Sequence, residues 1–281
     1  MKRLLIAAAA VMVSCAGPAD EVPATVGNPF LPMWEHIPDG EPYVFEDPDN
    51  PGEYRVYIYG SHDSLIKAYC GREQVVWSAP EDDLTAWRYD GVIFESKKDA
   101  QGNWLYDNHQ GDILYAPDMT VRMENGKKVY YLYPNNQARG RKNMVAKSDR
   151  PDGPFTPVNL TEDGRQCLPG SIIDFDPSVF IEYVNDKKDP DYDKGFRAYV
   201  FYGFQRSTAF ELDQNNMYAI RPGTKVHDYF IPASSRYGEV RDPKGTEYPA
   251  LYKGQNPGDF NFFEASSIRK VGNKYVMVFS G

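Results

Sequence analysis

The sequence predicts an all-β propeller, and three observations carry the prediction: short strands rich in aromatic and β-branched residues, a regular spacing between them, and no long helical period past the N-terminal apolar run. The strand patterns fall at residues 54–59, 128–133, 196–201 and 274–279, each preceded by turn residues. Their tyrosines Tyr57, Tyr130, Tyr199 and Tyr275 stand 73, 69 and 76 residues apart. A β-rich unit of that length makes a sheet that cannot cover both of its own faces. Several such sheets set around an axis cover one another, which is the propeller solution.

From the N-terminus, Lys2 and Arg3 precede an apolar stretch over residues 4–13 and the small residues of Ser14-Cys15-Ala16-Gly17. A membrane span needs about 20 apolar residues; a basic start, a short apolar run and small residues mark an export signal. Val13-Ser14-Cys15 resembles a bacterial lipobox. It makes Cys15 the expected first mature residue and lipid anchor, with the protein exported and held at the bacterial membrane only through that lipid, in the periplasm or at the cell surface. The expected organisation is a signal peptide over 1–14, a leader over 15–38 and a propeller over 39–281. At about 70 residues per blade, the span 39–281 is expected to stop before a last blade.

Lys and Arg number 31 against 40 Asp and Glu, a formal charge of −9, and no basic stripe is present. Phosphate binding needs convergent cations, so nucleic acid is excluded as a partner. Aromatic residues make up 14% of the chain, with 21 tyrosines. β-propensity accounts for most of them, and flat rings with polar edges also suit the C–H faces of sugars. Past Cys15, only Cys70 and Cys167 remain, enough for one disulfide or for two inert thiols.

Residues 47–55 and 189–197 are near copies, two periods apart. The second has the acidity of a calcium loop but lacks its Gly and its closing Glu, and reads as a solvated hairpin turn. Ser78 and Ser148 likewise open matching segments, read as outer hairpins of their repeats. The stretches ahead of the four tyrosine strands are expected to line the axis. They begin with Asp39-Gly-Glu-Pro, Ala116-Pro-Asp, Asp176-Pro-Ser and Phe263-Glu-Ala-Ser, so three carry a carboxylate at the head of an apolar strand. Asp39-Gly and Asp176-Pro are also ordinary turn dipeptides. Glu264 has no turn former beside it, and a carboxylate among Phe262, Phe263 and Ile268 is costly without a task.

On these motifs, together with Asn28-Pro-Phe, Gly60-Ser-His-Asp63 and the order and spacing of the whole set from about residue 28 onward, the chain resembles glycoside hydrolase family 43. The resemblance implies a five-bladed β-propeller with about four blades in this chain. It further implies an inverting hydrolase that cleaves arabinose- or xylose-containing plant polysaccharides or oligosaccharides, as an exo-α-L-arabinofuranosidase or β-xylosidase. An exo-β-galactosidase, an endo-arabinanase and a non-catalytic glycan-binding propeller remain alternatives. By position, the resemblance implies Asp39 as general base, Asp176 as the carboxylate that tunes pKa, and Glu264 as general acid, with Glu41 a rival base. His62, Tyr115 and Phe263 are implied as substrate-binding residues, with Phe262 and Trp87 as further aromatic candidates. No cofactor is required by the resemblance; it allows a structural ion such as calcium on the axis.

Overall fold

The computed structural model describes residues 30–64, 70–96, 113–137, 140–231 and 262–281; Cys15 and the rest of the expected signal lie outside them. Among the described residues, fourteen strands form four antiparallel sheets. The first holds β1 (Glu41–Glu46), β2 (Tyr54–Ser61), β3 (Glu73–Pro80) and β4 (Arg88–Glu95), in chain order. The second holds β5 (Asp118–Glu124), β6 (Lys127–Tyr133), β7 (Ala146–Ser148) and β8 (Thr156–Pro157). In the third are β9 (Ser178–Tyr183), β10 (Phe196–Tyr202), β11 (Thr208–Leu212) and β12 (His227–Asp228), and in the fourth β13 (Glu264–Val271) and β14 (Lys274–Ser280). These are three full blades and a hairpin. Tyr57, Tyr130, Tyr199 and Tyr275 each lie on the second strand of their sheet, so the spacing near 70 residues is the blade repeat. Ser78 faces Tyr57 and Ser148 faces Tyr130 across the next strand pair, the same place in two blades.

Side chains alternate across each strand, and the middle strand of blade 2 uses both faces. Tyr130 and Leu132 enter a core with Phe45, Tyr57, Tyr59 and Phe155, whereas Tyr131 and Tyr133 enter a second core with Val179, Val200 and Phe210. The first core lies between blades 1 and 2, the second between blades 2 and 3. Burial on both faces explains why residues 128–133 read as a nearly continuous apolar run.

The acidic turn at residues 189–195 joins β9 to β10, and its near copy joins β1 to β2. Arginines satisfy it: Arg197 donates to Asp189 and Asp191 at 2.6 Å, and Arg221 to Asp191 at 2.7 Å. Asp191 is buried under the two guanidinium groups, so this turn is less solvated than its sequence suggests. Cys70 and Cys167 are free thiols.

Inner strands β1, β5, β9 and β13 are joined at the axis by polar contacts between blades. The hydroxyl of Tyr43 on β1 donates to Asp118 Oδ1 on β5 at 2.6 Å, and the backbone N–H of Val179 on β9 donates to Asp118 Oδ2. Ser178 Oγ accepts from the N–H of Ile268 on β13 at 3.2 Å. From β13, Ser267 donates to Glu41 at 2.8 Å, and Arg269 pairs with Glu41 while its guanidinium lies 4.2 Å from the ring centre of Tyr43. Removing a buried acceptor that serves two donors leaves both unpaired, at about 1–3 kcal/mol for each. Asp118→Ala is therefore expected to destabilise the chain by about 2–4 kcal/mol in urea unfolding, and Asp118→Asn, which keeps one acceptor, by less.

Candidate functional site

A cavity of about 920 Å³ opens where the inner strands begin. Four structurally equivalent positions line it: Asp39 two residues before β1, Ala116 two before β5, Asp176 two before β9, and Glu264 at the head of β13. Asp39 and Asp176 both take left-handed backbone angles, φ +58° and +49°, which Asp tolerates better than most residues. Beside Glu264 the strand is irregular, with Ala265 at φ +60° and a register shift between Glu264 and Ser267. Each acid is thus lifted out of the side-chain alternation of the strand it precedes or opens. A smaller cavity of about 320 Å³, bordered by Glu41, Ala116 and Ser267, shares Asp39 and Asp176 with the cleft.

The three acids differ in surroundings. Asp39 is exposed toward the cleft and accepts from Ser61 Oγ at 3.3 Å; burial of its inner side and the charge of Asp63 raise its pKa, against the Ser61 bond. Asp176 is buried and accepts from Asn135 Nδ2 at 2.8 Å and from the Ala265 N–H at 3.2 Å. Burial, then the charges of Glu264 and Asp39, push it up to about 7 despite those two donors. Glu264 is half-buried, and burial followed by the charge of Asp39 raises it as well. Three carboxylates held this way cannot all ionise cheaply. Burial and mutual repulsion favour keeping a proton among them, and such surroundings let acid and base roles be divided among similar groups.

Tyr115 and Phe263 line the cleft as the sequence implies. His62 stands elsewhere: its ring bridges Glu35 at 3.2 Å and Glu73 at 2.9 Å, and Glu35 also accepts from the Trp77 indole at 2.8 Å. His62 thereby ties the segment before Asp39 to blade 1. Glu41 is engaged by Arg269 and Ser267 on the axis, which leaves Asp39 as the acid exposed to the cleft from blade 1. Phe262 is fully buried, and Trp87 packs on Phe30 at 5.3 Å. Several lining residues carry no sequence signal. Gln137 and Lys142 come from the connection between β6 and β7, where Gln137 supports the buried Asn135 at 2.7 Å and Asn135 reaches Asp176 from behind the lining; Phe204 and Arg206 come from the loop between β10 and β11.

Among the described residues no group of three or more His, Cys, Asp or Glu side chains is arranged to hold a metal ion. The axial carboxylates Glu41 and Asp118 already have protein donors. With those donors in place they do not fit a directly liganded ion.

The chain is 33% identical over 262 residues to a xylosidase/arabinosidase of Thermoclostridium stercorarium, a match that covers 90% of this chain and 46% of that protein. The chain thus spans about half the length of the curated relative it matches. In structure it is similar to a GH43_1 enzyme from Xanthomonas citri complexed with xylotriose, with a TM-score of 0.51 at 18% identity, covering 89% of this chain and 68% of that one. The same enzyme complexed with xylose gives 0.50 at 18%, covering 88% and 67%. No protein-family model matches. The all-β propeller fold is shared with these enzymes, and the resemblance read from the motifs extends along nearly the whole chain.

Asp176 also links the site to stability. Its folded pKa, about 7, lies above the unfolded carboxylate value of about 4. The stability this gives is full below pH 4 and is lost as pH rises through 7. Asp176→Asn carries no charge at any pH, so its melting temperature relative to the native chain is expected to rise by about 5 °C between pH 4 and pH 8. A scanning calorimetry series checks this; a pH-independent difference would mean that Asp176 is not held against ionisation.

Proposed function

We propose that this chain, a family 43 glycoside hydrolase by sequence resemblance and fold, releases arabinofuranosyl or xylosyl units from plant polysaccharides or oligosaccharides by a single inverting displacement. The observation that carries the reading is the set of three electrostatically coupled carboxylates, Asp39, Asp176 and Glu264, at equivalent blade positions around one cleft. The name of the curated relative supports xylose or arabinose as the sugar.

In this mechanism Asp39 acts ionised. It takes a proton from a water that attacks the anomeric carbon from the face opposite the leaving oxygen. Glu264 acts protonated and delivers its proton to that oxygen as the bond breaks. Asp176, held by Asn135 and the Ala265 N–H, is itself pushed up to about 7, so it puts repelling charge beside Glu264 only as the pH approaches neutral, and there it supports the protonated acid. Both Asp39 and Glu264 are shifted upward, so the bell-shaped pH profile is expected to lie above that of two ordinary carboxylates. Asp176→Asn removes a repelling charge and should move the basic limb downward.

Hydrolysis of a chromogenic panel of arabinofuranosides, xylosides and galactosides tests the activity, and proton NMR of early product tests inversion. Glu264→Gln is expected to lose about 10²–10⁴-fold on natural substrates and much less with a dinitrophenyl leaving group, which departs without a proton. Asp39→Asn should be severely impaired on both. A retained anomer would exclude the single displacement, and equal sensitivity of the two variants to the leaving group would exclude the division of roles.

We also propose that Cys15 carries a lipid that anchors the exported protein, on the strength of Ser14-Cys15 after a short apolar run. Cells given labelled palmitate should label the native protein and not Cys15→Ser; equal labelling would remove the anchor.

A further inference from the structure

Asp39 stands outside the strand ladder. The pairing of β1 with β2 ends at Glu41 and Tyr59, two residues short of it. Its backbone, at φ +58°, is held instead by the end of β2 and the residues that follow, where four in succession grip the segment 35–39. Gly60 lets that segment cross closely: a Cβ there would lie 2.1 Å from Ile37 Cγ2 and 3.0 Å from the Pro38 carbonyl oxygen. Ser61 is fully buried, with Oγ 3.2 Å from the Pro38 carbonyl oxygen and 3.3 Å from Asp39 Oδ2. His62 reaches Glu35 at 3.2 Å, and the Asp63 N–H donates to the His36 carbonyl at 3.0 Å. Both are anchored on their other side: His62 meets Glu73 at the head of β3 at 2.9 Å, and Asp63 accepts from the Cys70 N–H.

The Ser61 hydroxyl has one proton and two acceptors in reach. An ionised carboxylate is a stronger acceptor than a carbonyl, so the proton turns to Asp39 when Asp39 is charged and to Pro38 when Asp39 is protonated. A donor of that kind favours the charged form. The titratable groups that face Asp39 are Asp63, Cys70 from the segment before β3, Asp176 ahead of β9 and Glu264 on β13. All four are acids, and none of them can supply the cation that would keep Asp39 ionised. Burial raises the pKa of Asp39, the Ser61 bond lowers it, and Asp63 raises it.

We infer that Ser61 is a positioning residue for the general base: it holds Asp39 Oδ2 and leaves Oδ1 to take the proton of the attacking water, while His62 and Asp63 hold the segment in which Asp39 sits. The inference rests on the glycosidase reading above. It gives the Gly60-Ser-His-Asp63 motif a task that needs no contact with sugar, because these side chains act through Asp39.

The test is kcat and KM of Ser61→Ala across pH, on whichever chromogenic arabinofuranoside or xyloside the native chain hydrolyses. At neutral pH kcat should fall about tenfold with KM within about twofold. Loss of a donor that favours the charged base raises the pKa of that base, so the acidic limb should move up by about one pH unit while the basic limb stays. The loss should be as large with a dinitrophenyl leaving group, since the water needs its base with either. Ser61→Thr and Ser61→Val share one shape and differ in the hydroxyl; the first should keep the native acidic limb and the second should shift it, which preserves the test where Ser61→Ala loses stability. An unmoved acidic limb, a loss that falls on KM, or equal profiles for the Thr and Val variants would overturn the positioning role alone. If Asp39→Asn retains native activity, or the native chain hydrolyses none of the panel, the reading on which the inference rests is overturned and the inference with it.

Discussion

One buried carboxylate holds the blades in relation to each other. Asp118 stands on the inner strand of blade 2 and accepts from Tyr43 of blade 1 and from the Val179 N–H of blade 3. Isolation in the interior disfavours its charge, and the nearby Glu41 adds repulsion; both raise its pKa, while the two donors and Arg269 act the other way. Asp39 and Asp176 lie only a few residues from Tyr43 and Val179, so their relative placement is a consequence of this link. Glu264 is attached separately, through Ile268 on Ser178 and Arg269 on Glu41. A cleft whose acids come from three different sheets can be no more rigid than these axial bonds.

The same axis explains the electrostatic character of the site. The N-terminal ends of the inner strands converge, so side chains there crowd together and lose water. Three acids in that position repel one another, and the folded chain accommodates the repulsion by withholding ionisation rather than by supplying cations. The Lys142–Asp174 and Arg206–Asp228 pairs that also border the cleft are internally balanced. The reactive end therefore holds on to a proton more readily than isolated carboxylates would, while the outer end presents polar groups without net charge.

Much of the architecture is legible in the sequence because it is periodic. Four tyrosines near 70 residues apart mark the second strand of each sheet, and Ser78 and Ser148 mark the third strands of two blades, since each blade repeats the same local arrangement of strands. The acids are legible for the same reason, standing at the head of each inner strand. What could not be read depends on contacts across the ring. Asn135 looks like an ordinary loop residue until its loop meets Asp176 from the neighbouring blade. His62 looks like a pocket residue by its motif, yet the fold sets it between Glu35 and Glu73. Phe204 and Arg206 lie in the short loop between β10 and β11, and only the tie of that loop to Phe175 and Phe263 gives them a place.

Ala116 has a meaning that its size conceals. It occupies in blade 2 the position held by acids in blades 1 and 3 and at the head of β13, and it lines the same cleft. Four equivalent acids would make a near-symmetric ring with no preferred direction, suited to trapping a cation and poor at telling one face of a ligand from the other. A methyl group in one quadrant breaks the rotational symmetry. It leaves an uncharged wall against which a ring can lie and gives the remaining carboxylates distinct neighbours, so repeated units of one shape acquire a front and a back.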